Sequence, residues 1–165
     1  MKAQQRIVLI LLSLISFPGC QSSADNPLVG TWSLVSVSST AADGTIDAAP
    51  YGESPTGHLT YTAGGYMQVV LAFSDRPRLS SDWRTAPAEQ RAEAFATSLS
   101  YAGRFSIEDG QVTHHVEVSS DPNRIGTSIT RSVVLKDGNL TLTTPPIQVG
   151  AAASEFALTW RRVGE

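Results

Sequence analysis

Four side chains that can bind a ligand or move a proton interrupt otherwise apolar alternating runs: Tyr61, Tyr101, His114 and Arg131. Imidazole changes charge near neutral pH, a phenol donates or accepts one hydrogen bond, and a guanidinium stays charged and makes forked bonds. The runs sort by parity, because successive strand residues face opposite ways. Leu59 and Tyr61 share a face, as do Met67, Val69, Leu71 and Phe73. So do Leu99, Tyr101, Phe105 and Ile107; Val112, His114, Val116 and Val118; and Ile129, Arg131, Val133 and Leu135. Phe156, Leu158, Trp160 and Arg162 complete the inward set.

A loop centred near Pro122-Asn123 sets His114 opposite Arg131 to within about one residue of register. A buried guanidinium is costly unless paired, and no aspartate or glutamate shares the inward parity at mid-strand. A ligand carboxylate or another anion would neutralise it. Tyr61 and Tyr101 would donate hydrogen bonds, and Met67, Val69, Leu71 and Phe105 would enclose the apolar part. Two structural alternatives stand beside this: water and backbone carbonyls at a barrel mouth, or a bulge that turns Glu117 inward. His114-His115 is not a metal signature, since the two rings point to opposite faces and the chain has a single cysteine. No metal and no cofactor is expected, as phosphate-loop, dinucleotide and nucleophile-elbow motifs are all missing.

Eight strands are needed to hold these residues, at roughly 30–38, 57–62, 66–73, 99–108, 111–119, 127–136, 139–144 and 154–163. Ala63-Gly64-Gly65, Asp109-Gly110 and Asp137-Gly138 supply the positive-φ positions of tight hairpins. Between the third and fourth strands, Ala88, Ala92, Phe95 and Leu99 fall at helical spacing behind Pro87, which predicts one helix over 87–98. Eight antiparallel strands in one modest domain leave a sandwich or a closed barrel. Closure removes both aggregation-prone edges and leaves room for filling side chains or one small ligand.

The 165-residue chain carries 12 basic and 15 acidic side chains, which disfavours nucleic acid as a partner. Arg76-Pro77-Arg78 reads as a solvated loop. Its N-terminus has another purpose. Lys2 and Arg6 precede about 11 mostly apolar residues, too few for a span of roughly 20, and Gly19-Cys20 follows. This stretch resembles a bacterial lipoprotein signal, which implies that residues 1–19 are removed and Cys20 is lipidated. Ordinary signal cleavage with Cys20 incidental is the alternative. Residues 20–27 then form a polar tether, 28–165 the folded domain, and Gln21 after the cysteine implies the outer membrane, facing the periplasm.

Gly30-Thr31-Trp32 in the first strand and Trp160-Arg161-Arg162 in the last resemble the calycin pattern. More narrowly, the chain resembles the lipocalin-like domain family. Gly64-Gly65-Tyr66-Met67, Tyr101-Ala102-Gly103, His114-His115-Val116-Glu117, Pro122-Asn123, Gly126-Thr127, Arg131 and the run from Leu140 to Pro146 carry the likeness. The resemblance implies an all-β, eight-stranded antiparallel barrel, with Trp32 closing the base and Arg162 packed over it. It leaves three functions open: a membrane-tethered binder of a small hydrophobic, anionic ligand such as a fatty-acid-like molecule; a cavity-templated isomerase or cyclase with His114 as base or acid and Tyr61 or Tyr101 as proton donor; and a structural envelope lipoprotein with a filled core. Fold alone does not choose among them.

Overall fold

The computed structural model describes residues 26–149 and 152–164; the apolar leader and Cys20 lie outside these. In chain order the elements are β1 (Gly30–Ala41), β2 (Ile46–Asp47), β3 (Thr56–Tyr61), β4 (Tyr66–Ala72), α1 (Ala88–Ala96), β5 (Ser98–Glu108) and β6 (Gln111–Ser119). A 3-10 turn (Pro122–Arg124), β7 (Ser128–Lys136), β8 (Asn139–Thr143), β9 (Ile147–Val149) and β10 (Ala152–Arg162) follow. Every pairing is antiparallel, and the ring β1-β3-β4-β5-β6-β7-β8-β10 closes because β10 pairs back onto β1. The result is an eight-stranded barrel with one helix between its third and fourth strands. Two short strands were not foreseen: β2 adds to β1 and β9 adds to β10 beyond the barrel ring. At two and three residues they are too short to show a period of two.

Local chemistry explains the corners. Asp109-Gly110 and Asp137-Gly138 both take positive φ, the backbone that a two-residue hairpin requires. Helix α1 starts after Pro87 and buries none of its residues. Its last turn is held by Arg76, which donates to the Ala94 carbonyl at 2.9 Å and to Thr97 Oγ1 at 3.1 Å. That is a capping role for a basic residue near a helix C-terminus. No helix among the described residues is long and apolar enough to cross a membrane.

The sorting of faces by parity holds for the middle of each strand and fails at the end of β6. Val118 is 60% exposed, because a bulge at Glu117 flips the end of β6: Ala102 pairs with Val118 while Gly103 pairs with Val116. Gly103 permits this bulge. A Cβ there would sit 1.9 Å from the His115 carbonyl oxygen. Ile107 and Leu135 keep the inward parity yet are half-exposed, since they line an open groove at one barrel end.

That end is the base, built around Trp32. Its indole N–H donates to the Leu28 carbonyl at 2.9 Å, and the Arg162 guanidinium lies 4.3 Å above the ring. Arg162 also donates to the Val29 carbonyl at 2.7 Å and to the Pro27 carbonyl, tying the entering chain to the last strand. Gly30, at φ +140°, leaves room for the guanidinium: a Cβ there would be 2.4 Å from Arg162 Nη1.

Candidate functional site

Tyr61 ends β3, Tyr101 lies on β5, His114 on β6 and Arg131 on β7, and the barrel brings all four side chains inside. The Tyr61 hydroxyl is 2.7 Å from His114 Nε2, and the Tyr101 hydroxyl is 2.9 Å from His114 Nδ1. The imidazole is therefore the centre of a buried three-residue row. It is neutral: burial first, then the Arg131 charge and then His115, push its pKa down to about 3. Burial holds the Tyr61 phenol far above the usual tyrosine range, so it too is protonated.

A neutral imidazole has one N–H and one lone pair. It donates to one tyrosine oxygen and accepts from the other. The tyrosine that accepts keeps its own hydroxyl proton outside the row. With the proton on Nδ1, that free donor belongs to Tyr101, which borders a small enclosed void.

This void measures about 20 Å³ and is also bordered by Arg131, His114, Leu142, Leu158 and Trp160. That is space for about one water molecule. Met67, Val69 and Leu71 are packed core around it, and Phe105 closes over Tyr61 with ring centroids 4.7 Å apart. Trp160 Nε1 is buried and has no hydrogen-bond partner among the described residues. Arg131 is only 9% exposed and makes no hydrogen bond or ion pair with any described residue. Glu117 does not reach it; Glu117 faces outward and lies 3.8 Å from Arg104.

The register between β6 and β7 differs from the one expected. His114 pairs with Ile129 and Arg131 with Val112, so the two side chains share a face two residues apart rather than one. The connection is asymmetric: Asp121 caps the 3-10 turn at Asn123 N, and Gly126 N–H returns to the Val116 carbonyl. His115 points out, between Ser106 Oγ at 3.0 Å and Ser128 Oγ at 3.1 Å. No group of three or more potential metal ligands exists among the described residues.

Residues 29–163 match the lipocalin-like domain family. The chain belongs to that family. Over 84 residues it is 37% identical to the 4'-hydroxy-3'-methoxypropiophenone carrier protein ppsC of Aspergillus oryzae, a match covering 46% of this chain and 76% of that protein. A lipocalin-like protein from Bacteroides uniformis, of known crystal structure, is 15% identical, with a TM-score of 0.43 over 82% of this chain and 97% of its own.

One element of this lipocalin-like barrel escaped the reading of its strands. Tyr51, in the loop between β2 and β3, stacks on Phe73 with centroids 4.1 Å apart and leans on Phe156 at 6.0 Å. It covers the barrel mouth, at the end opposite Trp32. Its loop is latched by Ser74, whose N–H donates to the Tyr51 carbonyl at 2.9 Å and whose Oγ accepts from Ser54 N–H at 2.7 Å. Burial raises the Tyr51 pKa, and the nearby Arg131 charge opposes that rise. The available signal was an aromatic residue between Pro50 and Gly52, far from any periodic run.

Proposed function

We propose that this chain is a carrier that takes a small, mostly apolar molecule with an acidic or phenolic head into the upper barrel. The head would meet Arg131 and the free hydroxyl of the Tyr61–His114–Tyr101 row. The apolar part would replace the Tyr51 ring against Phe73 and Phe156. The observation that carries this reading is Arg131: an inward-facing residue only 9% exposed, with no counter-charge among the described residues. Such a charge is costly unless something pairs with it.

The void of 20 Å³ is too small for any ligand beyond water, so entry would require the packing above it to open, with Tyr51, stacked on Phe73, as the group to move. Its position suits this. It sits on a loop held at the rim by a few hydrogen bonds, and loops with few buried contacts open at lowest cost. Tyr51 is itself a phenol stacked on an aromatic ring, and the relative named a carrier is named for a phenolic aryl ketone. A ligand of that class would reproduce the stacking that Tyr51 gives up.

The isomerase or cyclase reading asks His114 to take a proton at neutral pH. A general base works best with a pKa near the working pH, and an imidazole held near 3 is far from it. We further propose that Cys20 carries a lipid and that the barrel is tethered to the outer membrane, facing the periplasm. Replacing Cys20 with Ser should move the protein from the membrane to the soluble fraction. Periplasmic wild-type protein without acyl mass would end that part.

The test of the binding site uses 4-butylbenzoate and its methyl ester as probes. A charge-assisted hydrogen bond contributes roughly 1.5–3 kcal/mol, so Arg131→Leu should weaken benzoate binding by about tenfold or more. The ester, which carries no charge, should bind both forms alike. Equal benzoate affinities in the two forms would refute the assignment.

A further inference from the structure

The small void beside Arg131 is bordered by polar side chains that donate hydrogen bonds rather than accept them. It measures about 20 Å³, and its polar neighbours are Tyr101, His114, Arg131 and Trp160. Trp160 is 1% exposed, and its indole N–H is buried without a hydrogen-bond partner among the described residues. Indole and guanidinium nitrogens donate and never accept. Both ring nitrogens of His114 are taken, one by Tyr61 and one by Tyr101, so the imidazole offers no lone pair to the void. The remaining lining side chains, from Val69 to Leu158, are apolar.

Tyr101 is the one neighbour that can act either way. With the His114 proton on Nδ1, its hydroxyl donates into the void; with the proton on Nε2, its oxygen accepts there. In the first state the void faces three donors and no side-chain acceptor. A water molecule would then have lone pairs to offer but no side chain to take its own protons. An anion has lone pairs alone.

We propose that this void is a binding site for a small monovalent anion, chloride, held by Arg131, Trp160 Nε1 and the Tyr101 hydroxyl. Arg131 supplies the opposite charge that a buried anion requires, and charge-assisted hydrogen bonds are the stronger kind. Chloride is a single atom little larger than water, which suits a space for about one water molecule. Its presence selects one tautomer of the buried row, because only the Nδ1–H form lets Tyr101 donate inward. The inference goes beyond the carrier reading. It shares Arg131 with that reading but needs neither an apolar ligand nor any movement of Tyr51.

The experiment titrates the 15N-labelled protein with sodium chloride against sodium gluconate at equal ionic strength, gluconate being too large for the void. The Trp160 indole N–H resonance should respond saturably to chloride alone. Trp32, whose indole N–H already donates to the Leu28 carbonyl, and Trp83, 62% exposed, serve as controls and should not saturate. The His114 ring nitrogens should report the Nδ1–H form at saturation. Arg131→Leu should weaken chloride by about tenfold or more, and Tyr101→Phe by severalfold. Wild-type crystals grown in sodium bromide need no variant: an anomalous peak should touch Trp160 Nε1 and the Arg131 side chain. No saturable response at Trp160, the same response to gluconate, undiminished affinity in Arg131→Leu, or a water molecule without anomalous signal in the void would overturn the assignment. Halide binding without 4-butylbenzoate binding would uphold this inference and count against the carrier reading; the opposite pair of results would do the reverse.

Discussion

Lowering the pH should destabilise this barrel through one residue, His114, and the size of the effect follows from its burial. The ring is 1% exposed and its folded pKa lies near 3, against about 6.5 for a free imidazole. Below pH 6.5 the unfolded chain binds a proton that the folded protein refuses. Stability therefore falls as pH drops from 6.5 towards 3, at about 1.4 kcal/mol per unit, and is fully present above 6.5. Between pH 7 and pH 5 this amounts to about 2 kcal/mol from His114 alone. The assay is urea unfolding of wild type and His114→Gln at pH 7, 6 and 5. The difference between the two proteins cancels the carboxylates and the two other histidines. Wild type should lose its advantage by about 2 kcal/mol over that range, because glutamine does not titrate. Parallel pH profiles would refute the neutral, desolvated imidazole.

Three further outcomes are expected. Gly103→Ala forces a Cβ to 1.9 Å from the His115 carbonyl oxygen, so it should cost about 1–3 kcal/mol or more in urea unfolding; an unchanged midpoint would mean the β5–β6 bulge is not as described. Gly30→Ala combines an unfavourable φ with a 2.4 Å clash on Arg162 Nη1 and should lower the thermal midpoint and expose Trp32 to acrylamide quenching. The same variant with unaltered quenching would contradict the base-closing role of that pair. Tyr51→Ala should speed the association of 4-butylbenzoate severalfold in stopped flow, and an unchanged rate would show that the ring does not gate the mouth.

Much of this architecture was legible because strand parity is a strong signal wherever one face is packed. The runs around Val69, His114, Leu158 and Trp160 alternate without interruption, and each emerges with the expected face inside. Parity failed at Val118 because a bulge adds one residue without any mark on its own strand; the trace lies on the partner, at Gly103, where only hydrogen fits. The His114–Arg131 register missed by one step because loop symmetry cannot foresee a 3-10 turn. Trp32 and Arg162 were legible through the Gly30-Thr31-Trp32 run, whose glycine makes space for the guanidinium. Tyr51 was not, since a lid residue obeys no period and its partners Phe73 and Phe156 are distant in sequence. The filled interior was also beyond reach: side-chain types state which groups face inward, but the volume left between them depends on how the rings tilt.

The carrier reading is tested most directly by a crystal structure of the barrel with 3-bromo-4-hydroxybenzoate, located by the anomalous signal of bromine. One bromine position is expected in the upper barrel, with the carboxylate or phenol oxygen within about 3 Å of the Arg131 guanidinium and Tyr51 displaced from Phe73. Bromine found only outside the barrel, with Tyr51 still stacked on Phe73 and Arg131 unaccompanied, would contradict it.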